Sequence, residues 1–202
     1  MVSRYRLWSG FLSLAVLLSS ATALAQKALR NDDVSIGGFY QFTQDASGNG
    51  ITNTASKSLG GEAAFSHSFH PLIGWQASYD YTRFTEYYTG QTFGYQHNLH
   101  VFNGDYYVHG FEALGLRPYA MAGISAVIFS PTLNGGQNVS WQAKAGANFG
   151  AGVQIPLLTK NFGLQVQYRG LYYQAPDFGL AKLNTGSYRL TSEPTAGLFV
   201  HF

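Results

Sequence analysis

Along most of the chain after residue 33, apolar and polar positions alternate with a period of two, the mark of strands that hide one face and expose the other. In residues 34–43, Val34, Ile36, Gly38, Tyr40 and Phe42 share one face and Ser35, Gly37, Gln41 and Thr43 the other, with Phe39 out of place. Residues 58–69 set Leu59, Ala63, Phe65 and Phe69 against Ser58, Glu62, Ser66 and Ser68. Residues 73–82 set Ile73, Trp75, Ala77, Tyr79 and Tyr81 against Gln76, Ser78, Asp80 and Thr82. Residues 142–155 oppose an alanine-rich face, Ala143 to Ala151, to Gln142, Lys144, Asn148 and Gln154. Residues 164–173 oppose Leu164, Val166, Tyr168 and Tyr172 to Gln165, Gln167 and Arg169, and a last strand over 188–202 ends on Leu198, Val200 and Phe202. Two more strands, about 97–109 and 118–129, alternate less cleanly, and Asn103-Gly104 is expected to mark a bulge in the first.

The connections alternate too. Residues 45–57, 85–95, 130–140 and 174–187 are long and rich in Gly, Asn, Ser and Thr, whereas the links near 70–72, 110–117 and 156–161 are shorter on the whole. Long loops at one end and short turns at the other predict an all-β fold: an eight-stranded antiparallel transmembrane β-barrel. The polar faces carry glycine, serine, glutamine and single charges with few lysines, which suits a lumen better than a shell facing water. The alanine-rich face would underfill a soluble core. Polar-in, apolar-out is the expected arrangement.

Composition agrees. Charged residues are 11% of the chain, against roughly 25% in ordinary soluble domains, and aromatics are 16%. No stretch after residue 25 is apolar for the roughly 20 residues that a spanning helix needs. In lipid the alternative to helices is a closed sheet, because every backbone N–H and C=O must find a partner. The first residues read as a cleavable export signal. Arg4 and Arg6 precede the apolar run Leu7–Leu18, and Ala23-Leu24-Ala25 supplies small residues before a cut at Gln26. The expected organisation is a signal peptide over 1–25 and a barrel domain over 26–202. Cleavage removes two arginines and no acids, so Lys+Arg falls from 12 to 10 against 10 Asp+Glu. A neutral chain argues against a nucleic-acid partner. With no cysteine, neither a disulfide nor a lipidated cleavage site is available.

The last residues, Thr195-Ala196-Gly197-Leu198-Phe199-Val200-His201-Phe202, match the outer-membrane assembly signal. Thr195 is the polar residue, Gly197 the glycine two on, Val200 the hydrophobic residue third from the end and Phe202 the terminal aromatic. With the signal peptide and the strand count, the chain resembles the small outer-membrane barrels typified by the OmpA transmembrane domain, OmpX and the opacity proteins. The resemblance implies location in the bacterial outer membrane among phospholipid and lipopolysaccharide. It also implies insertion by the barrel-assembly machinery, which reads the last strand. Ending at the barrel, the chain is not expected to carry a wall-binding domain.

The lumen of an eight-stranded barrel is just wide enough for side chains to fill. Glu62, Asp80, Lys144, Arg169 and Glu193 are expected to point into it, with Arg189 near the outer mouth. Buried charges must pair or be solvated, so these residues predict an internal ion-pair network that plugs the barrel; a narrow path for small ions is the alternative. Catalysis fits poorly. Ser66 and Ser68 face inward while His67 faces lipid, so no serine–histidine pair forms on one face, and the histidine-x-serine-asparagine motif of the lipid A deacylases is missing. His97, His100 and His109 do not share a strand face, so they make no metal site, and no cofactor motif is present. The loops remain as candidates for binding a surface ligand. Their Thr, Asn, Gly and Tyr name no ligand class.

Overall fold

The computed structural model describes residues 31–159 and 161–202. The expected export signal and its expected cleavage site at Ala23, Ala25 and Gln26 lie outside the described residues. Eight long strands form the wall: β1 (Asp32–Thr43), β4 (Ser58–His70), β5 (Ile73–Tyr88), β6 (Tyr95–His109), β7 (Arg117–Pro131), β8 (Gln142–Thr159), β9 (Phe162–Gln174) and β10 (Tyr188–His201). A short hairpin, β2 (Ala46–Gly48) and β3 (Ile51–Ala55), lies between β1 and β4. The strands run β5-β4-β1-β10-β9-β8-β7-β6, and β6 pairs back with β5 to close the sheet. All pairings are antiparallel, including that of the first strand, β1, with the last, β10, where Ile36 faces Leu198. Closure leaves no unpaired barrel edge, which is what a sheet in lipid requires.

The alternation places side chains as expected. Val34, Ile36, Leu59, Trp75, Tyr79, Tyr106, Leu164, Val166, Leu198 and Val200 are exposed on the outer wall, while Glu62, Gln76, Ser78, Asp80, Gln165, Gln167 and Arg169 are buried inside. Phe39, the exception in its strand, is buried in the lumen opposite Gly60. A Cβ on Gly60 would run into the Phe39 ring, so the absent side chain of one residue makes room for the other.

Four expectations change. β5 continues to Tyr88 rather than ending near 82, because Phe84, Glu86 and Tyr88 prolong its buried face. The segment 45–57, expected as an open loop, holds the β2–β3 hairpin, whose Asn53 pairs with Tyr88 and so raises the sheet above the barrel. Asn103-Gly104 is no bulge. β6 runs past it in continuous register with both neighbours, and the irregularities fall instead at Ser68/His70 and Pro156/Thr159. Finally, β6 and β7 alternate weakly because part of the lumen is itself apolar: Leu99, Val101, Val127 and Phe129 are buried inside with Tyr95 and Tyr173. A strand with apolar residues on both faces loses its period-2 contrast.

Candidate functional site: the lumen and its loop-side mouth

The inward side chains form two ionic layers. In the waist, Arg169 on β9 places Nη1 2.6 Å from Asp80 Oδ2 and 3.1 Å from Glu62 Oε2. Gln167 Nε2 donates to Glu62 Oε2 at 3.0 Å, and Tyr119 OH donates to Gln167 Oε1 at 2.8 Å. On the other side, Asn103 Nδ2 donates to Asp80 Oδ2 at 2.6 Å, Ser125 Oγ to Asn103 Oδ1 at 2.6 Å, and Asn148 Nδ2 to Ser125 Oγ at 2.7 Å. Glu193 is buried on β10 in register with Arg169, and Asp105 is buried on β6. Amides and hydroxyls thus engage much of the layer around a central guanidinium, as buried charge demands.

The second layer lies nearer the long loops. Arg189 grips Glu86 with both terminal nitrogens, Nη1 to Oε2 at 2.9 Å and Nη2 to Oε1. Its Nη1 also donates to Asn53 Oδ1 at 2.5 Å and its Nε to Tyr173 OH at 3.2 Å. The two-pronged pairing is the strong form of a guanidinium–carboxylate contact. His97 lies beside it, Nε2 3.9 Å from Glu86 Oε1, wedged against Phe84, Phe129 and Phe178.

An aromatic cork closes this end. Phe178 and Leu183, from the connection between β9 and β10, are buried among Phe84, Tyr88, Tyr95 and Phe129. Phe178 takes a left-handed backbone, φ 51°, which a non-glycine residue adopts only when its surroundings hold it there. Tyr88 OH donates to Pro176 O at 2.7 Å. Gln142 Nε2 donates to Asp177 Oδ1 at 2.7 Å while its Oε1 accepts from the Asp177 and Phe178 N–H groups. Lys144 Nζ stands 3.8 Å from Asp177 Oδ2. Burial pushes the Asp177 carboxyl up, but the Gly179 N–H, Gln142 and Lys144 outweigh it and hold the carboxyl below its ordinary value.

Of the residues expected in one network, the waist brings together Glu62, Asp80 and Arg169 with Glu193 beside them. Lys144 is not among them. It faces inward but near the loop end of β8, where its partners are Asp177 and Gln174 Oε1 at 3.2 Å. Height along the strand, which face assignment does not supply, separates it from Arg169. Arg189, expected near the mouth, is fully buried beneath the cork. Sequence reasoning missed Glu86, Asn53, Asn103, Asp105 and His97. The signal for Glu86 was present: Asp80, Thr82, Phe84, Glu86 and Tyr88 keep one face, and only the outward Arg83 obscured the pattern. Asn53 had no signal, since its role depends on a hairpin in a loop.

At the turn end, Asp33 Oδ1 lies 2.6 Å from His201 Nδ1, and a cavity of about 420 Å³ opens beside Asp33, His70, His109, Glu112, Arg117 and His201. Among the described residues no three His, Asp or Glu side chains converge to hold a metal. Ser68 Oγ is bonded to Tyr107 OH at 2.5 Å, and His67 Nδ1 to Asp32 Oδ1 at 2.5 Å. His97 is buried inside, whereas His100 is bonded to Tyr79 OH at 2.8 Å on the outer wall.

No protein-family model matches the sequence, and no curated protein matches it. Solved structures do. The chain is similar to Neisserial surface protein A (TM-score 0.61, 19% identity, 85% of this chain and 97% of that one). It is similar to the outer membrane protein OprG of Pseudomonas aeruginosa (TM-score 0.60, 12% identity, 86% and 96%). It is also similar to Ail, the attachment invasion locus protein of Yersinia pestis, in complex with the heparin analogue sucrose octasulfate (TM-score 0.51, 14% identity, 85% and 99%). With an apolar outer wall, a polar lumen and these structural neighbours, the protein has the fold of the small eight-stranded β-barrels of the bacterial outer membrane.

Proposed function

We propose that this barrel is a plugged wall protein whose long loops make contacts at the cell surface. The observation that carries the reading is the filled lumen: the Arg169 layer, the Arg189–Glu86 layer and the cork stack in one channel. A barrel closed in this way serves as a scaffold, and its function resides in what the scaffold presents. Exposed Phe93, Leu133 and Trp141 lie on the loop side, where long connections face outward in barrels of this kind. Conductance across planar bilayers tests the plug: the parent should show no steady current, and an open unitary conductance at neutral pH would replace this reading with a narrow pore. Binding of whole cells to host or phage surfaces, compared with a variant whose residues 133–138 are replaced by a glycine–serine linker, tests the loops. Loss of binding with unchanged barrel levels supports surface contact. We further propose that the barrel-assembly machinery inserts the protein through Thr195, Gly197, Val200 and Phe202, since Leu198 and Val200 on β10 and Phe202 just past its end are all exposed apolar residues spaced by two.

A further inference from the structure

The outer wall of β5 is apolar and aromatic from Ile73 through Trp75 and Ala77 to Tyr79 and Tyr81, and then presents Arg83. A lipid-facing arginine is costly near the bilayer midplane and nearly free of cost near the interface. Arg83 sits at the favourable end. At roughly 3.3 Å per residue and a tilt of about 40°, each strand residue climbs about 2.5 Å along the axis. Ten residues beyond Ile73, Arg83 stands about 25 Å above the turn-side rim, the height of an outer-membrane apolar band. Its neighbours agree: across β6 and β7 the outward residues at this level are Asn98 and Ser130, with Gln96 and Thr85 next above.

The side chain is held at that rim rather than extended into water. Arg83 Nε donates to Asn98 Oδ1 at 2.7 Å, and the same oxygen accepts from Tyr81 OH at 3.0 Å. Tyr81 in turn packs on His100, centroids 5.3 Å apart, and His100 is bonded to Tyr79. Asn98 therefore orients the guanidinium and leaves both terminal nitrogens without a partner among the described residues. Lys57, exposed just before β4, follows a residue whose N–H donates to Thr85 O at 2.9 Å, so it stands at the same level. Neither cation has an acidic side chain within ion-pair distance among the described residues; the ion pairs of this chain lie in the lumen or at its ends. Leu59, largely exposed and next to the Gly60 that pairs with Thr82, supplies an apolar surface beside Arg83.

We propose that Arg83, oriented by Asn98 and assisted by Lys57, binds a phosphate on the headgroup of an outer-leaflet glycolipid whose acyl chains lie along Leu59, Tyr81 and Tyr79. A guanidinium offers a planar fork that matches phosphate, and the pairing strengthens where lipid excludes water. The counter-charge missing from the protein comes from the membrane, at the depth where headgroups meet acyl chains. The site is on the outer wall and stands apart from any role of lumen or loops.

The test uses the barrel refolded in neutral detergent and titrated with bis-phosphorylated lipid A or with lipid A stripped of its phosphates, bound lipid being counted by native mass spectrometry. The parent should prefer the phosphorylated form roughly tenfold or more, as expected for one charge-assisted contact. Arg83→Gln should abolish that preference, Arg83→Lys should keep part of it, and both should match the parent in circular dichroism spectrum and in gel mobility before and after boiling. Inorganic phosphate at millimolar concentration should not displace the lipid. An unchanged preference in Arg83→Gln, equal binding of the two lipid A forms by the parent, or full displacement by inorganic phosphate would each overturn the proposal.

Discussion

Arg169 and Asp80 meet at 2.6 Å although their strands, β9 and β5, stand diametrically opposite in the barrel. The contact spans the lumen, so it braces the wall as well as neutralising charge. Replacing Arg169 by Met leaves Asp80, Glu62 and Glu193 buried without their cation, and removing one partner of a buried ion pair typically costs about 3–5 kcal/mol. Urea unfolding in detergent should show a loss of that size. A change under about 1 kcal/mol would mean that the waist is solvated.

Lys144 gives the contrast. Its partner Asp177 is in a loop and the pair is partly exposed, a setting in which ion pairs contribute about 0–1 kcal/mol. Lys144→Met should therefore leave global unfolding nearly unchanged while making the connection around Phe178 more accessible to protease.

The same loop should respond to acid. The Asp177 carboxyl is held below its ordinary value when folded. Its contribution is fully present above the unfolded value of about 3.9 and disappears as pH falls through the lower, folded value. Trp141, next to Gln142, should report the release as a change in fluorescence below about pH 4. Asp177→Asn should remove the pH dependence. The effect on stability should be no more than about 1 kcal/mol, since the group is only partly covered.

Gly60 and Phe39 form a matched pair. Gly60→Ala should destabilise the barrel by about 1–3 kcal/mol, as overpacking does, because the new methyl meets the Phe39 ring. In a Phe39→Ala background the same change should cost much less. Additive losses in a double-mutant cycle would separate the two residues.

Phe202 tests assembly against stability. One interfacial ring, 40% exposed, contributes little to the folded barrel. Phe202→Asp should refold in detergent with nearly parental stability, yet its level in the outer membrane should fall sharply if the terminal pattern is read during insertion. Normal levels in cells would leave the match at 195–202 without a role.

Alternation determined the strand class and which side chains share a face, because in a pleated strand facing depends on residue parity and needs no knowledge of neighbours, and the composition of the two faces said which one meets lipid. Thus Trp75, Tyr79 and Leu198 were legible as outward and Asp80, Arg169 and Gln167 as inward. Loop lengths set the topology for the same local reason. Parity says nothing about height, so which inward charges meet was decided only when the sheet closed. Closure put Arg169 opposite Asp80, raised Lys144 to Asp177, and set Asn53, in the β2–β3 hairpin, beside Arg189. The cork was hidden as well: Phe178 and Leu183 sit in a connection without periodicity, and their burial exists only because the mouth of a closed barrel surrounds them. Local sequence carries the direction in which each side chain points, and the register and curvature of the whole wall decide what it meets.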